Sequence, residues 1–466
     1  PHMDALAKRG RIFTNAHCAV PVCSSSRVSV MSGISATTHG SYELGPRYEE
    51  LPALARIPTI QRYFKDHGYY TLAGGKVLHH GFRGRLASAI DRSLGRKKSP
   101  RPRKPMNRPA DWSGAWDWGE YPEKDAEMAD FQLAKNAAEA LQGNFDQPFF
   151  MSVGFFRPHV PLFVPPKWFE LYDSGKLTLP RIPGSDLDDL PKNFLSINNY
   201  AAAPTHAEVV EHAKQRGLTH AYLASISFVD HCVGIVLDAL NSSAHADNTL
   251  VVLWSDHGFH LGEKQHWAKR TLWEESTRVP LVVVPAKSQG KKFGKTNQTC
   301  SKPVGLIDLY PTIARLAGLP LDYEGYGRDL LAPSSTAKSK RWVLTELDSL
   351  YGVGFLHPGN LQTAHQRVTS RIAIDDAELA RSKGGTRMWS ISDGREFYRQ
   401  QERSGEFVLR NVVTGQPLPC PDPDLYRNAY RDILHGSRYR DQQVQESSSA
   451  EERVLEERLR DLGYIE

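Results

Sequence analysis

Cys23 opens the run Cys23-Ser24-Ser25-Ser26-Arg27 and is the candidate nucleophile of this chain. Ser24 to Met31 reads as a helix, because three serines supply capping hydroxyls just ahead of an apolar-polar mix. Cys23 then sits at a helix N-terminus, where unpaired N–H groups and the macrodipole favour an anion such as sulfate or phosphate. Lys76 and His79, in Gly75-Lys76-Val77-Leu78-His79, add a cation and a proton carrier. In Arg157-Pro158-His159-Val160-Pro161 a histidine lies between two prolines, which hold its backbone rigid. Asp256 and His257 follow directly on the apolar run Leu250 to Trp254, as a metal-ligand pair would, and Lys269 closes Trp267-Ala268-Lys269. Each run alone has a plainer reading: a capped helix start with a solvated arginine, a surface lysine, a turn.

The elements that must position these residues follow from apolar periodicity. Phe149 to Gly154, Leu250 to Trp254 and Pro280 to Val284 are continuous apolar runs, the pattern of interior strands in a parallel sheet. Amphipathic helical stretches near Asp125 to Gln142 and Thr219 to Asn241 alternate with them, which predicts an α/β fold. Ligands in such sheets bind beyond the carboxyl ends of the strands, where Asp256-His257 and Arg157-Pro158-His159 fall. A β-prone stretch covers Arg11 to Asn15, and further helices are expected at Asp4 to Arg9 and Asp308 to Leu319. Leu330 to Lys340 reads as a linker. Beyond it, short strand-like runs (Arg341 to Thr345, Met388 to Ile391, Phe407 to Asn411) and a charged helix from Glu451 to Leu462 predict a smaller α+β domain. The boundaries are 1–335 for the larger, catalytic domain and 336–466 for the smaller.

The 466 residues carry 58 Lys and Arg against 53 Asp and Glu, a net +5 that suits an anionic substrate and is too small to indicate nucleic acid. Five cysteines are too few for a disulfide scaffold and lack the paired spacing of a zinc site. No apolar run reaches the roughly 18 residues that cross a bilayer, so no membrane span is expected. Arg92 to Arg108 is basic and rich in proline. It reads as a solvated loop, or as a cationic guide for a sulfated polysaccharide.

Taken together, the runs resemble the type I, formylglycine-dependent sulfatase family. Cys23-Ser24-Ser25-Ser26-Arg27 is similar to its C-x-P-S-R signature, with Phe13-Thr14-Asn15-Ala16 before it and Val30-Met31-Ser32-Gly33 after it. Gly75 to His79 resembles the G-K-x-x-H segment, and Arg157 to Pro161 the K/R-P-H-x-P turn. Ser255-Asp256-His257-Gly258, continuing through Leu261-Gly262-Glu263 and Trp267-Ala268-Lys269 to Thr277-Arg278-Val279-Pro280, is similar to the S-D-H-G block, especially that of the iduronate-2-sulfatase-like branch. The resemblance covers about Asp4 to Leu331, with Leu462-Gly463-Tyr464 at the end. It implies an alkaline-phosphatase-like, mostly parallel sheet flanked by helices. It also implies an exported protein, periplasmic or secreted, acting on a sulfated carbohydrate or small sulfate ester. A maturation enzyme would convert Cys23 to formylglycine, whose hydrate attacks sulfur while bound to a calcium ion. Arg27 would steady that hydrate, Lys76 would neutralise charge on it and on sulfate, and His79 would take the proton of its second hydroxyl. His159 and Lys269 would contact sulfate and assist the leaving alcohol, and Asp256, His257 and the residue at Cys23 would hold the metal.

Two departures matter. The family also holds calcium with an aspartate pair on its first strand. Pro1 to Leu6 resembles the family's P-N-x-D-x-L segment, which places that pair before residue 1. Calcium takes six to eight oxygen ligands, so this chain is expected to bind it poorly, and its sheet to lack a central strand. Ser25 replaces the usual proline in the segment that maturation enzymes read. Two alternatives therefore stay open: an inactive sulfatase-like protein that binds sulfated glycans, and a phosphatase or phosphonate hydrolase of the alkaline-phosphatase superfamily.

Overall fold

Apolar runs form the centre of the protein in a computed structural model that describes residues 1–188, 190, 203–293, 296–321, 327–331, 343–348, 387–392, 396–401, 407–411, 418–420 and 422–435. Seven strands build two central sheets: β1 (Arg11–Phe13), β2 (Tyr70–Gly75), β3 (Arg92–Gly95), β4 (Phe149–Gly154), β5 (Val251–Trp254), β6 (Leu281–Val284) and β7 (Gln298–Cys300). One sheet has the order β3-β2-β4 and is entirely parallel. The other has the order β7-β1-β6-β5, in which β6 runs antiparallel to both neighbours and β7 parallel to β1. The three predicted interior strands all form, but β6 enters a mixed arrangement. Parallel neighbours usually need a crossover helix, and the one α-helix in the connection from β5 to β6 is the single turn Glu274–Thr277.

The helices that flank the sheets are α1 (His2–Arg9), α2 (Cys23–Ser32), α3 (Ala129–Leu141), α4 (Gln215–Asn241) and α5 (Leu309–Leu316). Every residue of α2 is buried, and its Val28, Val30 and Met31 share one core with Leu309 and Leu316 of α5. The start of α2 departs from expectation. Its N-cap is Val22, with no side-chain cap, because the serines face other segments: Ser25 Oγ donates to Glu43 O (2.8 Å) and Ser26 Oγ to Asp256 O (2.5 Å). α4 is long and apolar enough to cross a bilayer by length and composition alone, although no unbroken apolar run in the sequence marks it. Half of its most apolar window is buried against α1 and α3, which makes it a helix apolar on several faces because it serves a core.

Between β4 and β5, the facing edges of the two sheets, no strand lies among the described residues. Both strands are only half-buried along their length and line a cavity of about 1130 Å³ that runs on to Lys76, Asp256 and Lys269. Further along the chain, β8 (Val343–Asp348), β9 (Arg387–Ser392), β10 (Glu396–Gln401) and β11 (Phe407–Asn411) form an antiparallel meander. α6 (Pro423–His435) packs on it through Tyr426 and Ala429 against Trp389, Ile391 and Leu409. This is an α+β unit with one strand and one helix more than the sequence suggested. The expected boundary at 335/336, the linker past Leu331 and the charged helix at Glu451 to Leu462 lie outside the described residues. β8 leans on the turn that precedes Cys23: Thr345 Oγ1 donates to Cys18 O, and Glu346 N to Ala19 O, both at 2.8 Å.

Candidate active site

Two glycines bring β2 and β4 close enough to set the first lysine. A Cβ on Gly75 would stand 2.1 Å from Gly154 O, and one on Gly154 2.4 Å from the Lys76 carbonyl carbon. Gly75 also has φ +70°, a backbone region that favours glycine. With that approach made, Lys76 N donates to Gly154 O (2.6 Å), and Lys76 Nζ reaches Cys23 Sγ at 3.6 Å while resting over the Phe156 ring. Lys269 Nζ arrives from a different segment at 3.0 Å from the same sulfur and 3.3 Å from His159 Nε2. His257 Nε2 lies 3.1 Å from Cys23 Sγ. His159 Nδ1 donates to Val160 O and His257 Nδ1 to Gly258 O, so each ring presents its Nε2 to the pocket.

The structure therefore gathers Cys23, Lys76, His159, Asp256, His257 and Lys269 around one point, and His79 faces the Cys23 thiol. Arg27 sits one step back. Its Nε donates to Asp256 Oδ2 (2.8 Å) and its Nη1 to the carbonyls of Lys76 and Val77, so it locks the Asp256 carboxylate to the backbone that carries Lys76.

Burial opposes charge on every group here, and the neighbours decide which group keeps it. Burial pushes the Cys23 thiol up, but Lys269, Lys76 and His257 together hold it well below its ordinary value. Burial likewise opposes ionisation of Asp256, yet Arg27 and His257 hold its carboxyl at about 2. Desolvation lowers Lys76 to about 8, with the Cys23 charge working against that shift. His79 falls to about 4 through burial and His159 to about 3 through burial and the two lysines. At neutral pH the site thus holds two lysines, the uncharged imidazoles of His79 and His159, and room for an anion.

Four supporting residues, Glu43, Asp130, His266 and Arg270, carried no signal in the sequence. Ala268 (φ +94°) and Arg270 (φ +74°) bracket Lys269 in the left-handed region, a conformation that costs about 1–3 kcal/mol per residue. What holds it is a buried ion pair between Arg270 Nη1 and Glu43 Oε1 at 2.6 Å, together with His266 Nε2 against Lys269 O (2.8 Å). Asp130, from α3, accepts the N–H groups of Phe156 (2.8 Å) and Arg157 (2.9 Å) and fixes the turn that presents His159.

Cys23 Sγ, an Asp256 oxygen and His257 Nε2 lie within 4.8 Å of one another, a potential metal-coordinating cluster. Calcium does not fit this donor set alone. It takes six to eight oxygens, whereas the cluster offers one carboxylate, already held by Arg27, beside a thiol and an imidazole. An oxygen in place of the thiol would add a single ligand.

A family model described as Sulfatase matches residues 1–319. A sulfatase of Formosa agariphila is 38% identical over 340 residues, covering 68% of this chain and 64% of that protein. Choline-sulfatase of Rhizobium meliloti is 30% identical (69% of this chain, 63% of that protein), and iduronate 2-sulfatase of Mus musculus 29% (69% and 65%). The chain belongs to the sulfatase family. It spans just under two thirds of the length of these curated relatives, and their variety does not single out the iduronate branch. Among solved structures, a phosphonate monoester hydrolase from Silicibacter pomeroyi superposes with a TM-score of 0.69 at 20% identity, covering 95% of this chain and 91% of that one. A 2-O GAG sulfatase superposes with 0.61 at 19%, covering 93% and 85%. The fold is thus the alkaline-phosphatase-like α/β fold, with a mixed and parallel sheet flanked by helices, and it houses both chemistries.

Two measurements test this geometry. Thiolate absorbance in the ultraviolet, taken as the difference from Cys23→Ser, should persist well below the pH at which an ordinary thiol titrates, and Lys269→Met should move its midpoint upward. A midpoint at the ordinary thiol value of about 8.5, unmoved by that change, would contradict the electrostatics. Calorimetry of this chain with calcium should show no submicromolar binding; finding it would mean that other ligands complete the shell.

Proposed function

We propose that the protein hydrolyses sulfate esters, with a sulfated sugar or polysaccharide as substrate, and that Cys23 becomes formylglycine through a maturation enzyme. The observation that carries this reading is the approach of Lys76 Nζ and Lys269 Nζ to one sulfur atom, at 3.6 and 3.0 Å, in a buried pocket with neutral imidazoles. Two ammonium groups beside the nucleophile can each donate to a sulfate oxygen, and such charge-assisted bonds are strongest where water is excluded. The hydrated aldehyde supplies one hydroxyl for attack and a second that, once deprotonated, lets sulfate depart. His79, neutral at pH 7, accepts that proton. Lys269, hydrogen-bonded to His159, carries the proton for the departing alcohol, while Arg27 keeps Asp256 ionised and in place. Calcium would need oxygen ligands beyond this cluster, and no step here depends on it. Export from the cytoplasm belongs to the same proposal.

The name of the mouse relative, an iduronate 2-sulfatase, supports a sulfated sugar. The choline-sulfatase at similar identity keeps the iduronate branch itself a narrower reading. A phosphonate or phosphate ester is the second reading, favoured only by the shared fold.

In the full protein, alanine at Lys76 or Lys269 should lower kcat on nitrophenyl sulfate by about 10²–10³. Near-normal turnover by either variant would overturn the assignment. Faster hydrolysis of nitrophenyl phosphate than of the sulfate would favour the second reading, and no turnover of either by the mature protein would favour a glycan-binding role.

A further inference from the structure

Between residues 92 and 108 the chain carries five arginines, three lysines and no acidic residue. The segment is held in place. It begins as β3, the edge strand of the parallel sheet, where Leu94 O accepts from Asn136 Nδ2 (2.9 Å). Ser99 Oγ accepts from Ala129 N (3.1 Å). The Asp117 carboxylate then accepts the N–H groups of Met106, Asn107 and Arg108 at 2.9–3.0 Å. Between these anchors Arg96, Lys97, Lys98, Arg101, Arg103 and Lys104 are exposed. Pro100, Pro102 and Pro105 restrict the backbone between the anchors, and the chain bends at 103–104 and 106–108.

The segment reaches the site at two places. Arg96 Nη2 donates to His79 O (2.7 Å), so the segment grips the backbone of a pocket residue. Arg101 lies near enough for its charge to be felt at Arg157, whose Nη1 donates to His159 O (3.4 Å). A polyanion with one ester between Lys76 and Lys269 would lay its next anionic groups along this strip.

We propose that residues 92–108 form a binding surface for the uncleaved sulfates of a polymeric sulfated polysaccharide, continuous with the pocket at Cys23. The choice of sulfate as the anion rests on the sulfate-ester reading above. A single-stranded nucleic acid fits less well, because the segment has no aromatic side chain on which a base could stack.

The test replaces Lys97, Lys98, Arg103 and Lys104 with Gln, none of which belongs to the catalytic cluster, and measures binding apart from turnover. Dextran sulfate should bind the full protein, with unsulfated dextran as the control, and the variant should lose about tenfold or more in affinity and bind with a shallower salt dependence. Its kcat and KM for nitrophenyl sulfate should be unchanged. Equal affinity of variant and parent for dextran sulfate would overturn the proposal, as would duplex DNA that binds as tightly and loses as much. If neither protein hydrolyses nitrophenyl sulfate while dextran sulfate binding still depends on the four cations, the surface stands and the sulfatase reading falls.

Discussion

Two lysine ammonium groups within 4 Å of one buried sulfur atom repel each other unless an anion lies between them. Concentrating like charge in a low-dielectric pocket is costly unless each ion is paired. Here the cost is met on one side by the Cys23 thiolate and on the other by Asp256, which Arg27 holds ionised. The two histidines nearest the lysines resolve the same conflict by staying uncharged. A tetrahedral anion delivered to Cys23 would meet donors already in place, so the arrangement that depresses the thiol also suits an anionic ester.

Much of the fold can be read as what keeps those charges together. The glycine contact between β2 and β4 sets Lys76, Asp130 sets the His159 turn, and β5 ends at Asp256 and His257. Lys269 is the most expensive to place. Its flanking residues adopt a conformation that L side chains avoid, and the Glu43–Arg270 pair, buried on both sides, supplies the restraint. Removing one partner of such a pair costs about 3–5 kcal/mol, enough to let the lysine loop relax away from the sulfur. The groove between β4 and β5 leads into this cluster, so whatever fills it bears on the charges at its end.

The site was largely legible in the sequence where function is local. Cys23 does start a helix, and Asp256-His257 does follow a strand, because apolar periodicity and short polar runs report on neighbours along the chain. The failures are tertiary. The serines after Cys23 resemble caps by composition, but the interior offered their hydroxyls Glu43 O and Asp256 O instead. Glu43 and Arg270 stand 227 residues apart, and neither belongs to a run that suggests chemistry. The direction of β6 depends on how its connection returns, which periodicity does not encode, and α4 looked unremarkable although its apolar surface is that of a core helix.

The central claim is that the residue at position 23, among these lysines, is the point of attack on a sulfate ester. The most direct measurement is the mass of the tryptic peptide containing residue 23 from active full-length protein, set against turnover of nitrophenyl sulfate across preparations. A peptide lightened by exchange of sulfur for oxygen and loss of two hydrogens, in proportion to activity, is the predicted result. Sustained turnover by protein whose Cys23 remains an unmodified thiol would contradict it.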